Sequence, residues 1–273
     1  MKKVVVFATG GTISSISNIS MGGLIATLTG EELLKNSPGF KNIIVETYNY
    51  KTVNSTHIKP ENMIEMAENI LKILEKDDVI SVVVTHGTST MEETAFVLDL
   101  LISSSKPVII TGSQRSADEE YSDGPANLND AVTVASSYKA KGRGVLVVFA
   151  GKIYEGCQIR KIHSYALDAF SAGEKGIFGR VDGDNVFFFR NRDRMVIDIP
   201  QSDNVSVDII PFYSGASEKF FHTAIESGTK GLIVEGLGLG NVNDNYSKGI
   251  QLALDNGIHV VLTTRCEHGG VYP

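Results

Sequence analysis

Short β-branched runs that alternate with helix-period segments are the feature that most restricts what this chain can fold into. Val4 to Ala8, Val79 to Val84 and Val145 to Ala150 are apolar runs of strand length. Further strand candidates are 43–48, 107–111, 185–189, 205–210, 231–235 and 259–263. Between them, 60–76 reads as a helix: Pro60 suits an opening turn, and Met63, Met66, Ala67, Ile70, Ile73 and Leu74 recur at helical spacing. The segment 91–102 repeats the pattern with Ala95, Leu98, Leu101 and Ile102, and 128–138, 218–227 and 246–256 follow. Such alternation builds βαβ units, because parallel strands need a crossover connection. The expected fold class is therefore α/β. An N-terminal catalytic domain, 1–190, should hold a mostly parallel sheet with helices on both faces, and 214–273 should form a smaller α/β C-terminal domain. The stretch 191–213 is rich in Arg, Asp, Pro and Ser without a long helix pattern, and is expected to be a linker. About 60 residues with two strands make a thin domain on surface-to-volume grounds. That piece is expected to be incomplete or covered by a partner chain.

Charge narrows the function classes. Lys and Arg number 25 and Asp and Glu 32 among 273 residues, a formal net charge of −7. A general nucleic-acid or membrane-surface binder needs the opposite sign on its phosphate-facing surface. No apolar run approaches the roughly 20 residues of a membrane span. The stretch after Lys3 ends at Thr9-Gly10-Gly11, too short for a secretory leader core. Cys157 and Cys266 supply neither a disulfide framework nor a metal quartet. A reducing, cytoplasmic location is expected, with a small-molecule substrate, no nucleic acid and no membrane. Gly236-Leu237-Gly238-Leu239-Gly240 lacks the dinucleotide-binding spacing, and the histidines contain no HExxH. No cofactor and no metal are expected.

In open parallel sheets, ligands bind outside the carboxyl ends of the strands. The segments at those positions are Thr9-Gly10-Gly11-Thr12, Asn54-Ser55-Thr56-His57, Thr85-His86-Gly87-Thr88-Ser89-Thr90, Gly112-Ser113-Gln114-Arg115, and 157–164 with Lys161. Hydroxyls with a nearby Lys are the makings of nucleophilic catalysis. A Thr hydroxyl needs a base to take its proton, and a partly buried Lys has its pKa lowered towards that role. Glycines beside the hydroxyls permit tight turns and expose N–H groups to an oxyanion. Each feature alone has a plainer explanation. Thr9-Gly10-Gly11-Thr12 suits a capped turn, Lys161 a solvated charge, His86 a core histidine and Cys157 a small buried hydrophobe. Thr90 with Glu93 fits a helix capping box. Only the combination points to acyl transfer.

These residues resemble the bacterial-type asparaginase/glutaminase family. Ala8-Thr9-Gly10-Gly11-Thr12-Ile13, followed by Gly22-Gly23-Leu24 and Leu28-Thr29-Gly30-Glu31-Glu32-Leu33, is similar to its N-terminal signature. Thr85-His86-Gly87-Thr88-Ser89-Thr90-Met91-Glu92-Glu93-Thr94-Ala95 resembles its second signature with one change. Gly112 to Arg115, Ser122-Asp123-Gly124-Pro125-Ala126-Asn127-Leu128 and Gly238-Leu239-Gly240-Asn241 extend the match. The resemblance implies a Thr12 nucleophile that forms an acyl-enzyme, and a Thr88–Lys161 pair. It implies substrate contacts from Gly11, Ser55, Thr56, Gly87, Ser89 and Ser113. Asn241 would approach from a neighbouring subunit of a homodimer or homotetramer with shared active sites.

The departures bear on substrate. The family's Asp after the second catalytic Thr, which pairs with the substrate α-ammonium, is Ser89 here. A neutral hydroxyl makes a bond roughly half as strong as a charge-assisted one. His57 stands where an Asp is usual, and Gly23 or Leu24 where an assisting Tyr is usual. The acidic contact that the family draws from its C-terminal segment is not expected from the residues up to Pro273. The expected function is hydrolysis of the side-chain amide of asparagine or a related compound. The alternatives are hydrolysis of an α-N-substituted amino-acid amide and a non-catalytic ligand-binding relative.

Overall fold

The computed structural model describes residues 2–18, 23–35, 40, 43–201 and 205–272. It divides into two units, Met1–Ile199 and Pro200–Pro273. The first unit opens with β1 (Lys3–Gly10), β2 (Ser15–Asn18), β3 (Gly23–Ala26), α1 (Gly30–Lys35) and β4 (Ile44–Val53). It continues with α2 (Pro60–Leu74), β5 (Val79–Thr85), α3 (Met91–Leu101), β6 (Val108–Thr111), α4 (Gly124–Ser136) and β7 (Val145–Phe149). Short strands follow: β8 (Lys152–Glu155), β9 (Arg160–Lys161), β10 (Phe170–Ser171), β11 (Gly179–Asp182) and β12 (Asn185–Phe188). The second unit contains β13 (Val207–Pro211), α5 (Lys219–Glu226), β14 (Gly231–Gly236), α6 (Asp244–Asp255) and β15 (His259–Thr264).

The main sheet has the order β12-β11-β8-β7-β6-β5-β1-β4. From β4 to β7 the pairing is parallel. Both faces are covered, so β1 reads as a continuous apolar run rather than an alternating one. Val5 and Phe7 share a core with Met66 and Ile70 of α2 and Leu98 of α3. Val4 and Val6 share the opposite core with Leu128, Ala131 and Val132 of α4. No helix among the described residues is long and apolar enough to cross a membrane.

The sheet departs from the sequence expectation at its other margin. Lys161 does not lie in a loop leaving the fifth parallel strand. Ala150 (φ 50°) and Gly151 (φ 71°) both take positive φ, and Phe149 faces Lys152 across a two-residue hairpin. Turns with two positive φ values match the twist of antiparallel strands, so β7 returns as β8. The chain then runs back along α3. A Cβ at Gly156 would lie 2.9 Å from Ala95 O and 3.3 Å from Asp99 Cβ, late in the helix. Five residues on, the Lys161 N–H donates to Glu92 Oε2, in its first turn. This climb delivers Lys161 to the helix N-terminus.

The stretch 191–213, read as a linker, is divided between the two units. Arg192 and Arg194 turn inwards and pair with the buried Asp99 of α3, and the Ile197 N–H donates to Leu100 O at 2.9 Å. Asp99 Oδ1 also accepts from the Val145 N–H at 3.0 Å. The composition suggests a linker because a single chain segment does not reveal a carboxylate about 95 residues away. Cys157 borders this ion cluster, its Sγ 3.9 Å from Arg192 Nη2, instead of serving as a small core hydrophobe. Further along, 207–211 is β13, so the second unit has a three-stranded parallel sheet, β13-β14-β15. Ile210, Leu232 and Val234 pack there with Phe221 of α5 and Tyr246 of α6. Removing one partner of a buried ion pair strands the other charge, at a cost of about 3–5 kcal/mol. Asp99→Asn should lower stability by that order in urea unfolding of the whole chain, whereas Asp193→Asn on the exposed side should change it by no more than about 0.5 kcal/mol.

Candidate active site

Glycines close the carboxyl ends of the central strands onto one another. A Cβ at Gly11 (φ 81°) would lie 2.3 Å from Gly87 N and 2.5 Å from Gly87 Cα. One at Gly87 would lie 2.7 Å from Ser55 Oγ, and one at Gly112 2.3 Å from His86 O. Backbone therefore abuts backbone, and the Thr12 turn, the Thr88 loop and the short 3₁₀ turn Ser55–His57 meet at one place. Thr9 adds a tie between neighbouring strands, its Oγ1 donating to Thr85 O at 2.7 Å. The Gly11 N–H donates to Val53 O at 3.0 Å, joining the end of β4.

Thr88 and Lys161 meet directly at this point. Lys161 Nζ lies 2.7 Å from Thr88 Oγ1 and 3.2 Å from Gln114 Oε1, and Thr88 Oγ1 lies 3.4 Å from Gln114 Oε1. Thr88 is buried and Lys161 half-buried. Burial lowers the lysine pKa below its ordinary value, and the neighbouring Glu92 carboxylate works against that shift. Gln114 stands in one of the strand-end segments, but no signal in the sequence singles it out within that segment. Only the fold brings it to the pair.

Thr12 sits at the start of a one-turn 3₁₀ helix, Thr12–Ser14, beside Gly11. It is half-buried, and its hydroxyl has no hydrogen bond among the described residues. Ser55 is buried, and Thr56 and His57 are exposed in the same turn. Ser113 is buried with its hydroxyl turned back on its own loop, donating to Arg115 O at 2.6 Å. Asp123 pins that loop by accepting from the Gln114 and Arg115 N–H groups at 3.0–3.1 Å. Ser89 is exposed and has no carboxylate bonded to it among the described residues. Thr90 does not form the expected capping box. Its hydroxyl donates instead to Ser55 O at 3.0 Å, a tertiary bond that ties two site loops together. Asn241 belongs to the second unit, exposed after β14, with its N–H donating to Leu237 O at 2.7 Å. Gly22 lies outside the described residues, as do the side chains of Gly23 and Leu24. Among the described residues no three His, Cys, Asp or Glu side chains cluster as a metal site.

His86 holds the Thr88 loop from beneath. Nδ1 lies 2.8 Å from Gly87 O and must donate to it, so Nε2, 3.0 Å from Thr94 Oγ1, accepts the threonine proton. That tautomer is neutral, and full burial depresses the imidazole pKa from 6.5 to about 4. The unfolded chain takes up this proton first. The stability contributed by a neutral His86 is therefore complete above pH 6.5 and falls as pH drops towards 4. At about 1.4 kcal/mol per pKa unit the loss is on the order of 3 kcal/mol. Chemical unfolding at pH 7 and pH 4 should show this loss in the wild type, and His86→Gln should lose that share of the pH dependence.

Comparison with known proteins bears on the family and the fold. The family model for the asparaginase N-terminal domain matches residues 3–194, and that for the glutaminase/asparaginase C-terminal domain matches residues 206–273. L-asparaginase of Bacillus licheniformis is 33% identical over 271 residues, covering 99% of this chain and 84% of that protein. L-asparaginase 2 of Bacillus subtilis is 35% identical over 280 residues, covering 98% and 74%. A crystal structure of a probable cytoplasmic L-asparaginase from Campylobacter jejuni superposes with a TM-score of 0.91 at 31% identity, covering 100% of this chain and 86% of that one. The two-unit α/β fold and the continuous match along it establish that the chain belongs to the asparaginase family.

Proposed function

We propose that the protein hydrolyses the side-chain amide of asparagine or a closely related compound, releasing ammonia. Thr12 Oγ1 attacks the amide carbon, ammonia leaves, and water then cleaves the resulting ester to a carboxylate and free Thr12. Lys161 in its neutral form takes the proton of Thr88, which in turn accepts a proton from the attacking hydroxyl or water; the same relay run backwards returns that proton to the leaving amide nitrogen in the first step and to Thr12 Oγ1 in the second. The observation that carries this reading is the 2.7 Å Lys161–Thr88 contact beside the Gly11–Gly87 backbone junction. Burial of Lys161 disfavours its charged form and so supports a role as base. With the Gly11 N–H taken by Val53 O and those of Gln114 and Arg115 by Asp123, the backbone N–H groups of the Gly87–Thr88 loop are suited to an oxyanion, while Ser55 and Thr56 are suited to the substrate carboxylate. The relatives named L-asparaginase favour asparagine itself. We place the enzyme in the cytoplasm, as a homodimer or homotetramer in which Asn241 completes a neighbouring site.

A second reading is favoured by one position. Ser89 offers no charge to a substrate ammonium, and none of the described carboxylates is bonded to it. A substrate whose α-nitrogen is acylated, alkylated or cyclised needs no such anchor.

Thr12→Ala should reduce ammonia release from asparagine at least 1,000-fold, of the order seen when a nucleophile is removed, with the melting temperature unchanged. Lys161→Met should lose comparable activity, together with the alkaline rise of kcat/KM. Persistence of either activity would remove that residue from its role. Ser89→Asp separates the substrate readings. With a free amino acid as substrate, KM should improve or hold. With an α-N-substituted one, a carboxylate desolvated without a partner should cost about 1–3 kcal/mol, or about 5- to 150-fold in kcat/KM.

A further inference from the structure

A lysine that acts as a base must present its lone pair to the proton it takes, and its remaining N–H groups must point elsewhere. A neutral amine has two N–H donors and one lone pair. At Lys161 the candidate proton donor is Thr88 Oγ1, at 2.7 Å. The second polar atom in reach is Gln114 Oε1, at 3.2 Å. We propose that Gln114 is a positioning residue, whose side-chain carbonyl accepts an N–H of Lys161 and so turns the lysine lone pair towards Thr88, without bringing a charge to the site. This inference rests on Lys161 acting as the base.

Three features of the site support it. First, the amide is seated by its carbonyl end alone. Oε1 faces both Lys161 Nζ and Thr88 Oγ1, whereas the buried Nε2 has no partner among the described residues. A glutamine placed only for packing would turn whichever end left fewer buried groups unpaired. With Oε1 towards the pair it accepts from both Lys161 Nζ and Thr88 Oγ1, whereas an amide NH2 in the same place would oppose the N–H donors of the amine. Second, the backbone of Gln114 is fixed. Its N–H donates to both Asp123 oxygens at 3.1 Å, and Asn127 Nδ2 donates to Asp123 Oδ2 and Gly112 O at 3.0 Å each. The carbonyl is thus held from the N-terminal turn of α4, not from a free loop. Third, the electrostatics favour a neutral acceptor. Lys161 is faced by Glu92 from α3, Thr88 from the loop after β5, Gln114 from the loop after β6, and the backbone of Phe170 on β10. Of these, Glu92 carries charge, and it already opposes the downward shift that burial imposes on Lys161. A carboxylate in place of Gln114 would bind the ammonium form and hold the lysine protonated. An amide carbonyl aims the amine at far smaller electrostatic expense.

The test is the pH dependence of kcat/KM for ammonia release from asparagine between pH 6 and 11, in wild type, Gln114→Glu, Gln114→Met and Lys161→Met. The isosteric Gln114→Glu should move the alkaline rise of kcat/KM upwards by about 1–3 pH units, the range of a neighbouring opposite charge. At a fixed pH on that rise, this is a loss of about 10- to 1,000-fold, recovered as pH increases. Gln114→Met keeps the bulk and removes the acceptor, so kcat should fall about tenfold or more with KM within about twofold. Melting temperatures of both variants should stay near that of wild type. If the Gln114→Glu profile superposes on wild type while Lys161→Met is inactive, the positioning role is wrong and the base assignment stands. If both Gln114 variants lose activity only in proportion to a lowered melting temperature, with the profile unmoved, Gln114 is structural and the inference fails. If Lys161→Met keeps the activity and the alkaline rise, the base assignment falls and takes this inference with it.

Discussion

The contact on which the rest of the site depends is the one between the backbones of Gly11 and Gly87. Two loops that leave neighbouring parallel strands approach here closely enough to bring the threonine of each to the same junction. Any side chain at Gly11 would overlap the Gly87 backbone, 2.3 Å from its nitrogen. The conformation adds a second demand. Gly11 has φ 81° with ψ −177°, a region essentially confined to glycine that costs a residue with a Cβ on the order of 1–3 kcal/mol. The steric overlap is the larger effect, because main chain cannot swing aside as a flexible side-chain tip does. Gly87 in turn leaves room for Ser55, and Gly112 for the His86 carbonyl. Four chain segments therefore meet where no packing core of ordinary side chains could bring them.

Around that junction the charges are graded by burial. The strongly coupled ions lie away from the site, where Asp99 binds Arg192 and Arg194 and Glu155 binds Arg190. This cluster anchors the last residues of the first unit and the start of the climb that ends at Lys161. At the site itself the groups nearest the lysine are hydroxyl and amide, with one carboxylate, Glu92, holding its backbone. His86 beneath the loop is kept neutral by burial. A largely uncharged surrounding is what a lysine base requires, since each added anion would stabilise the ammonium form.

Several features of this arrangement were legible in the residues. The helix of Met63, Met66 and Ile70 and the strand of Val82, Val83 and Val84 announce themselves by spacing. The catalytic candidates stand in loops after strands, where open α/β sheets place their ligands. Other features were not legible. The β7–β8 return rests on two positive φ values at Ala150 and Gly151, and only the second residue signals that conformation by its type. Thr90 followed by Glu93 has the spacing of a local cap, yet its hydroxyl bonds Ser55, 35 residues away. A local pattern cannot show that a tertiary acceptor has won over a local one. Arg192 and Arg194 look like part of a linker because their partner, Asp99, lies on a helix that is distant in sequence.

The sequence by itself determined the βαβ architecture, the net negative charge, and the hydroxyl- and glycine-bearing loops that mark the family. These depend on periodicity and on residue type, which are local properties. The tertiary structure alone decided which of those hydroxyls meet, that Lys161 reaches Thr88 by climbing α3, and that the Gln114 carbonyl lies beside both. Each of these is a contact across 26 to 73 residues of chain. Such contacts are set by strand order and by the close approach of backbones, and no single segment of the chain encodes them.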